Sequence, residues 1–94
     1  LIRAILVYDM NTEEKSGRKR LTKIMKTCRK YLTHVQKSVF EGDITEGKLA
    51  LLKHEIDSIV DKDKDFVIIY STRSRTVLTR DIITNTHDPT DNFI

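Results

Sequence analysis

The chain passes between segments of strand-like and helix-like hydrophobic period. Leu1 to Tyr8 holds six aliphatic residues in eight positions, a run expected of a strand buried on both faces in the middle of a sheet. It runs straight into Asp9, and a polar loop follows from Met10 to Gly17. A helix is expected from near Arg18, because Leu21, Ile24, Met25, Cys28, Tyr31 and Leu32 recur at the spacing of one apolar stripe. His34 to Ile44 is rich in Val, Ile and Phe, and reads as one kinked strand or as two short ones around Gln36 to Ser38. Two strands are favoured, with a bulge or bend at Gly42. Thr45 suits a helix N-cap and Glu46 the positive end of the dipole, and Leu49, Leu52, Ile56, Ile59 and Val60 form a second stripe. Asp61 to Asp65 alternates in charge and is expected to be a solvated turn. Phe66 to Tyr70 is continuously apolar and is expected to be a second central strand. After a polar turn from Ser71 to Arg75, Thr76 to Ile83 alternates loosely, which suits an edge strand or one pairing across an interface.

The order strand, helix, short hairpin, helix, strand gives an α+β fold, the ferredoxin-like βαββαβ arrangement with a C-terminal strand appended. Residues 1–83 make one domain and 84–94 a polar tail ending on Phe93 and Ile94, which are either a frayed end or a peg for a partner. Two helices on one face leave the other face of the sheet needing cover. A two-fold homodimer packed sheet to sheet supplies it, with the appended strand extending the partner's sheet.

Composition adds little until charge is placed along the chain. Hydrophobic content of 38% and charged content of 33% are ordinary for a globular domain, and 94 residues bury a modest core. No apolar run suits a bilayer span or a signal peptide, and a lone Cys28 excludes an internal disulfide, so a cytoplasmic protein without a membrane partner is expected. Lys15 to Lys37 contains nine basic residues and no acid, so the remainder sums to −6 against a chain total of +3. This asymmetry points to a polyanion-binding surface, and Lys19, Lys23, Lys26 and Lys30 share the polar side of the first helix. Cys28 lies in the apolar stripe and reads as a buried core thiol.

The motifs that would name other chemistries are missing. Phe66 to Tyr70 lacks the aromatic and glycine pattern of an RNA-recognition strand, and His34, His54 and His87 have no zinc spacing. There is no phosphate-cradling glycine loop, nucleophile elbow or dinucleotide fingerprint, and Ser38 has no evident base. Asp9 at the exit of a central strand is the first candidate for chemistry; its alternative role is to open a turn.

Tyr8-Asp9-Met10 after the strand, Arg18-x-Arg20-Leu21 at the helix start, and above all Val35-Gln36-Lys37-Ser38-Val39-Phe40-Glu41-Gly42-Asp43-Ile44 closely resemble the CRISPR-associated protein 2 family. This is the small subunit of the spacer-acquisition machinery, and the resemblance spans most of the chain. It implies a ferredoxin-like homodimer, complexed with the integrase CRISPR-associated protein 1, that helps hold DNA for insertion. It also implies a magnesium-dependent endonuclease acting on RNA or DNA. By position, Asp9 matches the metal-binding carboxylate, Tyr8 the aromatic before it, Arg18 and Arg20 the helix-start arginines, and Phe40 the aromatic of the Val-Phe pair; these five are the expected catalytic set. The family often has arginine where this chain has His34, which carries charge only when protonated. The loop from Asp9 to Arg18 is slightly longer than in compact members.

These readings yield an adaptor that binds duplex DNA through Lys15, Arg18, Lys19, Arg20, Lys23, Lys26 and Lys37 and bridges the integrase, with Phe93 and Ile94 in the partner contact. Mg2+ held between the two Asp9 of a dimer would add nuclease activity on duplex DNA or single-stranded RNA. The alternative is a toxin-like metal-dependent endoribonuclease without an integrase partner.

Overall fold

The first strand, β1 (Ile2–Asp9), is central, as its apolar run requires. It pairs antiparallel with β3 (Val39–Ile44) on one side and β4 (Phe66–Thr72) on the other, and β2 (Thr33–Gln36) completes the order β2-β3-β1-β4. The protein is described by a computed structural model over residues 1–73, 78–85 and 89. Helices α1 (Lys15–Tyr31) and α2 (Glu46–Ile59) cover one face of the sheet, giving the ferredoxin-like βαββαβ arrangement. Among the described residues no helix is long and apolar enough to cross a membrane.

Strict alternation along β1 separates the two faces. Ile2, Ala4, Leu6 and Tyr8 are buried beneath the helices, where Ile24, Cys28, Phe40 and Leu52 are fully enclosed. Arg3, Ile5, Val7 and Asp9 take the opposite face with their register partners Asp43, Glu41 and Val39 on β3 and Thr72, Tyr70, Ile68 and Phe66 on β4. Thr45 caps α2 by accepting a hydrogen bond from the Lys48 N–H at 3.2 Å, and Glu46 occupies the first turn.

Several boundaries differ from expectation. Helix α1 begins at Lys15, about a turn early, because the Glu14 carbonyl accepts from the N–H groups of Gly17 and Arg18. The hairpin is two strands, but its irregularity falls between His34 and Gln36, whereas Gly42 pairs regularly with Ala4. Strand β4 is an edge of the sheet, not a central strand; Phe66 and Tyr70 are each 59% exposed because no helix covers their face. The appended strand was expected over 76–83. Residues 76 and 77 lie outside the described residues, and 78–83 form no strand within this single chain. Of the described part, Leu78 borders Arg3, Ile5 and Tyr70 on the open face, and Arg80 Nη2 lies 2.7 Å from Glu41 Oε1. Phe93 and Ile94 also lie outside the described residues.

Candidate active site

Asp9 is the last residue of β1 and pairs with exposed Phe66. The strand period turns its side chain to the face without helices. It is exposed, and among the described residues its carboxylate takes part in no hydrogen bond or ion pair. It borders a cavity of about 620 Å3 between the end of β1, the start of α1 and the hairpin, with Leu21, Met25, His34 and Ser38 in the walls.

Tyr8 and Asp9 are neighbours in sequence but occupy opposite faces. Tyr8 is buried, and its hydroxyl donates to the Lys37 carbonyl at 3.1 Å. Burial, and next the neighbouring Cys28, raise its pKa, so the phenol stays a neutral donor. Phe40 is enclosed between Tyr8, with ring centres 6.2 Å apart, and His34, at 4.6 Å. His34 Nε2 also lies 2.7 Å from the Lys37 carbonyl oxygen. Two ring side chains therefore converge on one carbonyl, at a residue whose backbone is left-handed with φ of 32°. Tyr8, His34 and Phe40 brace the Lys37–Ser38 turn beside Asp9, and Phe40 has no exposed surface to offer a substrate.

The two helix-start arginines differ in environment. Arg18 is exposed, and its Nη1 donates to the Thr12 carbonyl at 3.2 Å. Arg20 instead donates through Nε to Asp65 Oδ2 at 2.7 Å and through Nη2 to Oδ1 at 3.2 Å. The Asp65 side chain is shielded from solvent and also accepts from the N–H groups of Asn11 at 3.0 Å and Asp61 at 2.9 Å. The Arg20 bonds first, then the Asp61 and Asn11 N–H groups, hold its carboxyl at about 2 against the opposing effect of burial. The turn from Asp61 to Asp65 is thus not wholly a solvated loop, because its last carboxylate anchors three segments. The signal for it lay in α1: Arg20, Ile24 and Cys28 follow one another at four-residue steps, so the arginine sits on the row that enters the core. A guanidinium there requires a buried acid.

The basic surface is built as its spacing implies. Lys15, Lys19, Lys23 and Lys26 are exposed along α1 and Lys37 at the hairpin tip, and their ammonium groups form no ion pair within the described residues. Lys30 differs, since it bonds Glu55 on α2. No group of three or more His, Cys, Asp or Glu side chains that could hold a metal occurs among the described residues, and Asp9 is the carboxylate that borders this cavity.

Comparison with known proteins agrees with this architecture. A family model described as CRISPR associated protein Cas2 matches residues 2–80. A Moorella thermoacetica protein named CRISPR-associated endoribonuclease Cas2 2 is 67% identical over 90 residues, covering 96% of this chain and 99% of its own. A Fusobacterium nucleatum protein named CRISPR-associated endoribonuclease Cas2 is 36% identical, covering 96% and 84%. The crystal structure of Streptococcus pyogenes Cas2 at pH 6.5 superposes with a TM-score of 0.67 at 38% identity, over 72% of this chain and 82% of that one. A further crystal structure, titled cas2, gives a TM-score of 0.73 at 28% identity over 99% and 95% of the two chains.

Proposed function

Since the chain belongs to the CRISPR-associated protein Cas2 family, we propose that it serves in CRISPR spacer acquisition as a homodimer that binds duplex DNA and bridges the CRISPR-associated protein 1 integrase. The observation that carries the DNA-binding role is the row of exposed lysines on α1, Lys15, Lys19, Lys23 and Lys26, joined by Lys37, none of them in an ion pair among the described residues. Such side chains contact phosphates without reading sequence, which suits a protein that must accept any spacer. The homodimer is supported by the sheet face that no helix covers, where Ile5, Val7, Ile68 and Tyr70 lie in adjacent register.

A second reading, metal-dependent cleavage of a phosphodiester, is favoured by the position of Asp9. Its carboxylate, unpartnered among the described residues, shares the face through which the two copies would meet, and relatives carry the names endoribonuclease and endonuclease. One carboxylate is a poor site for Mg2+, which prefers six oxygens, so the fit requires Asp9 from both copies together with water and substrate phosphate. The ion, when bound, would neutralise charge developing on the phosphate oxygens. Arg18 steadies the phosphate, while the neutral Tyr8 hydroxyl holds the Lys37 turn in place. A toxin-like endoribonuclease would share this Asp9 chemistry but lack an integrase partner.

The experiment compares purified wild type and Asp9→Asn for duplex-DNA binding and for cleavage of DNA and RNA, with magnesium or with chelator. Equal DNA binding by both proteins is expected, with metal-dependent cleavage by the wild type alone. Retained cleavage by Asp9→Asn removes Asp9 from the reaction, and absence of DNA binding removes the adaptor role.

A further inference from the structure

Asp65 is forty-five residues from Arg20 in sequence, yet its side chain is shielded from solvent and accepts four hydrogen bonds from three separate segments. One comes from the N–H of Asn11, two residues beyond Asp9. Two come from Arg20, near the start of α1, and one from Asp61 at the other end of its own turn. The next residue, Phe66, is the ladder partner of Asp9.

The segment that leaves Asp9 is held at further points. The Asn11 side chain accepts from the Glu13 N–H at 3.0 Å, and the Thr12 carbonyl accepts from Arg18. Gly17 lets the loop lie directly on α1, since a Cβ there would stand 1.8 Å from the Asn11 carbonyl oxygen. Asn11 is therefore fixed by its N–H to Asp65 and by its carbonyl against Gly17, and the next residue receives Arg18. On the path from Asp9 through Asn11 and Thr12 to Arg18, the Asp65 carboxylate is the anchor that ties the loop to α1 and to the turn before β4 at once.

We infer that Asp65, with Arg20 as its counter-charge, is a positioning residue for the Asp9 site. It sets the backbone that leaves Asp9 and presents Arg18 to the phosphate. Arg20 then acts through Asp65, since its guanidinium is engaged in that pair, while Arg18 is the arginine exposed for substrate. The consequence for reaction rests on the reading of Asp9 as the reacting carboxylate; the consequence for the loop does not.

The test uses Asp65→Asn, which keeps the shape and removes the charge, beside Ile44→Val, a core variant opposite Ile2 at the far end of β1 from Asp9 that lowers stability without touching the loop. Two quantities are read under conditions where all proteins are folded: hydrogen exchange of the Asn11 amide, and kcat and KM for metal-dependent cleavage. In Asp65→Asn the Asn11 amide should exchange at least about tenfold faster, and kcat should fall on the order of tenfold to a hundredfold with KM little changed. Ile44→Val should leave both near wild type, and Arg20→Lys, which keeps a cation beside Asp65, should fall between. Wild-type Asn11 exchange or wild-type kcat in Asp65→Asn overturns the inference. If the wild type itself does not cleave, the Asp9 reading falls, and the Asn11 exchange alone decides: faster exchange upholds the positioning role and unchanged exchange overturns it.

Discussion

The Arg20 guanidinium and the Asp65 carboxylate form a two-point contact, Nε to Oδ2 at 2.7 Å and Nη2 to Oδ1 at 3.2 Å, with the arginine side chain 16% exposed and the aspartate side chain shielded from solvent. This geometry gives both directionality and strength to the pair. It makes Asp65 the residue through which acid should act on the fold.

The Asp65 carboxyl is depressed from an ordinary 3.8 to about 2, so it contributes stability that is fully present above the unfolded value and lost as pH falls through the folded one. Melting temperatures of wild type and Asp65→Asn should differ most between neutral pH and about pH 5, and converge as pH approaches about 2. A gap that persists undiminished at the acid end would show that the carboxylate charge is not what the variant removes.

Gly17→Ala sets two effects against each other. Alanine gains up to about 1 kcal/mol of helix propensity over glycine. The new methyl group, however, would stand 1.8 Å from a backbone oxygen that cannot rotate away. The clash should win, with a net loss of about 1–3 kcal/mol measured by denaturant titration. Increased stability would show that the loop moves off α1 without cost.

The lysine row should reveal itself through salt. If the complex neutralises about six phosphates, log affinity falls against log salt with a slope near −5, and replacing Lys19, Lys23 and Lys26 by alanine should flatten that slope by about 3. Binding measured across a salt series checks both values, and an unchanged slope in the triple variant places the DNA elsewhere.

Cys28 is fully enclosed, and burial pushes its thiol up to about 12, so it is a neutral thiol at physiological pH. Thiol reagents should label the native protein only as fast as it opens, and label it at once in denaturant. Immediate labelling under native conditions at neutral pH would contradict the packing of α1 on the sheet.

Local sequence determined much of this protein: the central place of β1, the faces of both helices, the split hairpin, the Thr45 cap and the burial of Cys28 all follow from residues near one another in the chain. The basic asymmetry of α1 was equally legible, because a row of lysines at helical spacing reaches solvent once the apolar stripe is packed. Tertiary structure decided what depends on residues distant in sequence. Phe66 to Tyr70 is apolar enough for a central strand, yet topology puts β4 at an edge with one face open, since period records a need for cover and not its source. Arg20 and Arg18 read as equivalent charges two positions apart, and only the return of the chain at Asp65 buries one against a carboxylate and leaves the other in solvent. A local pattern specifies which side of an element a residue takes; which group meets it there is set by how the elements close on one another.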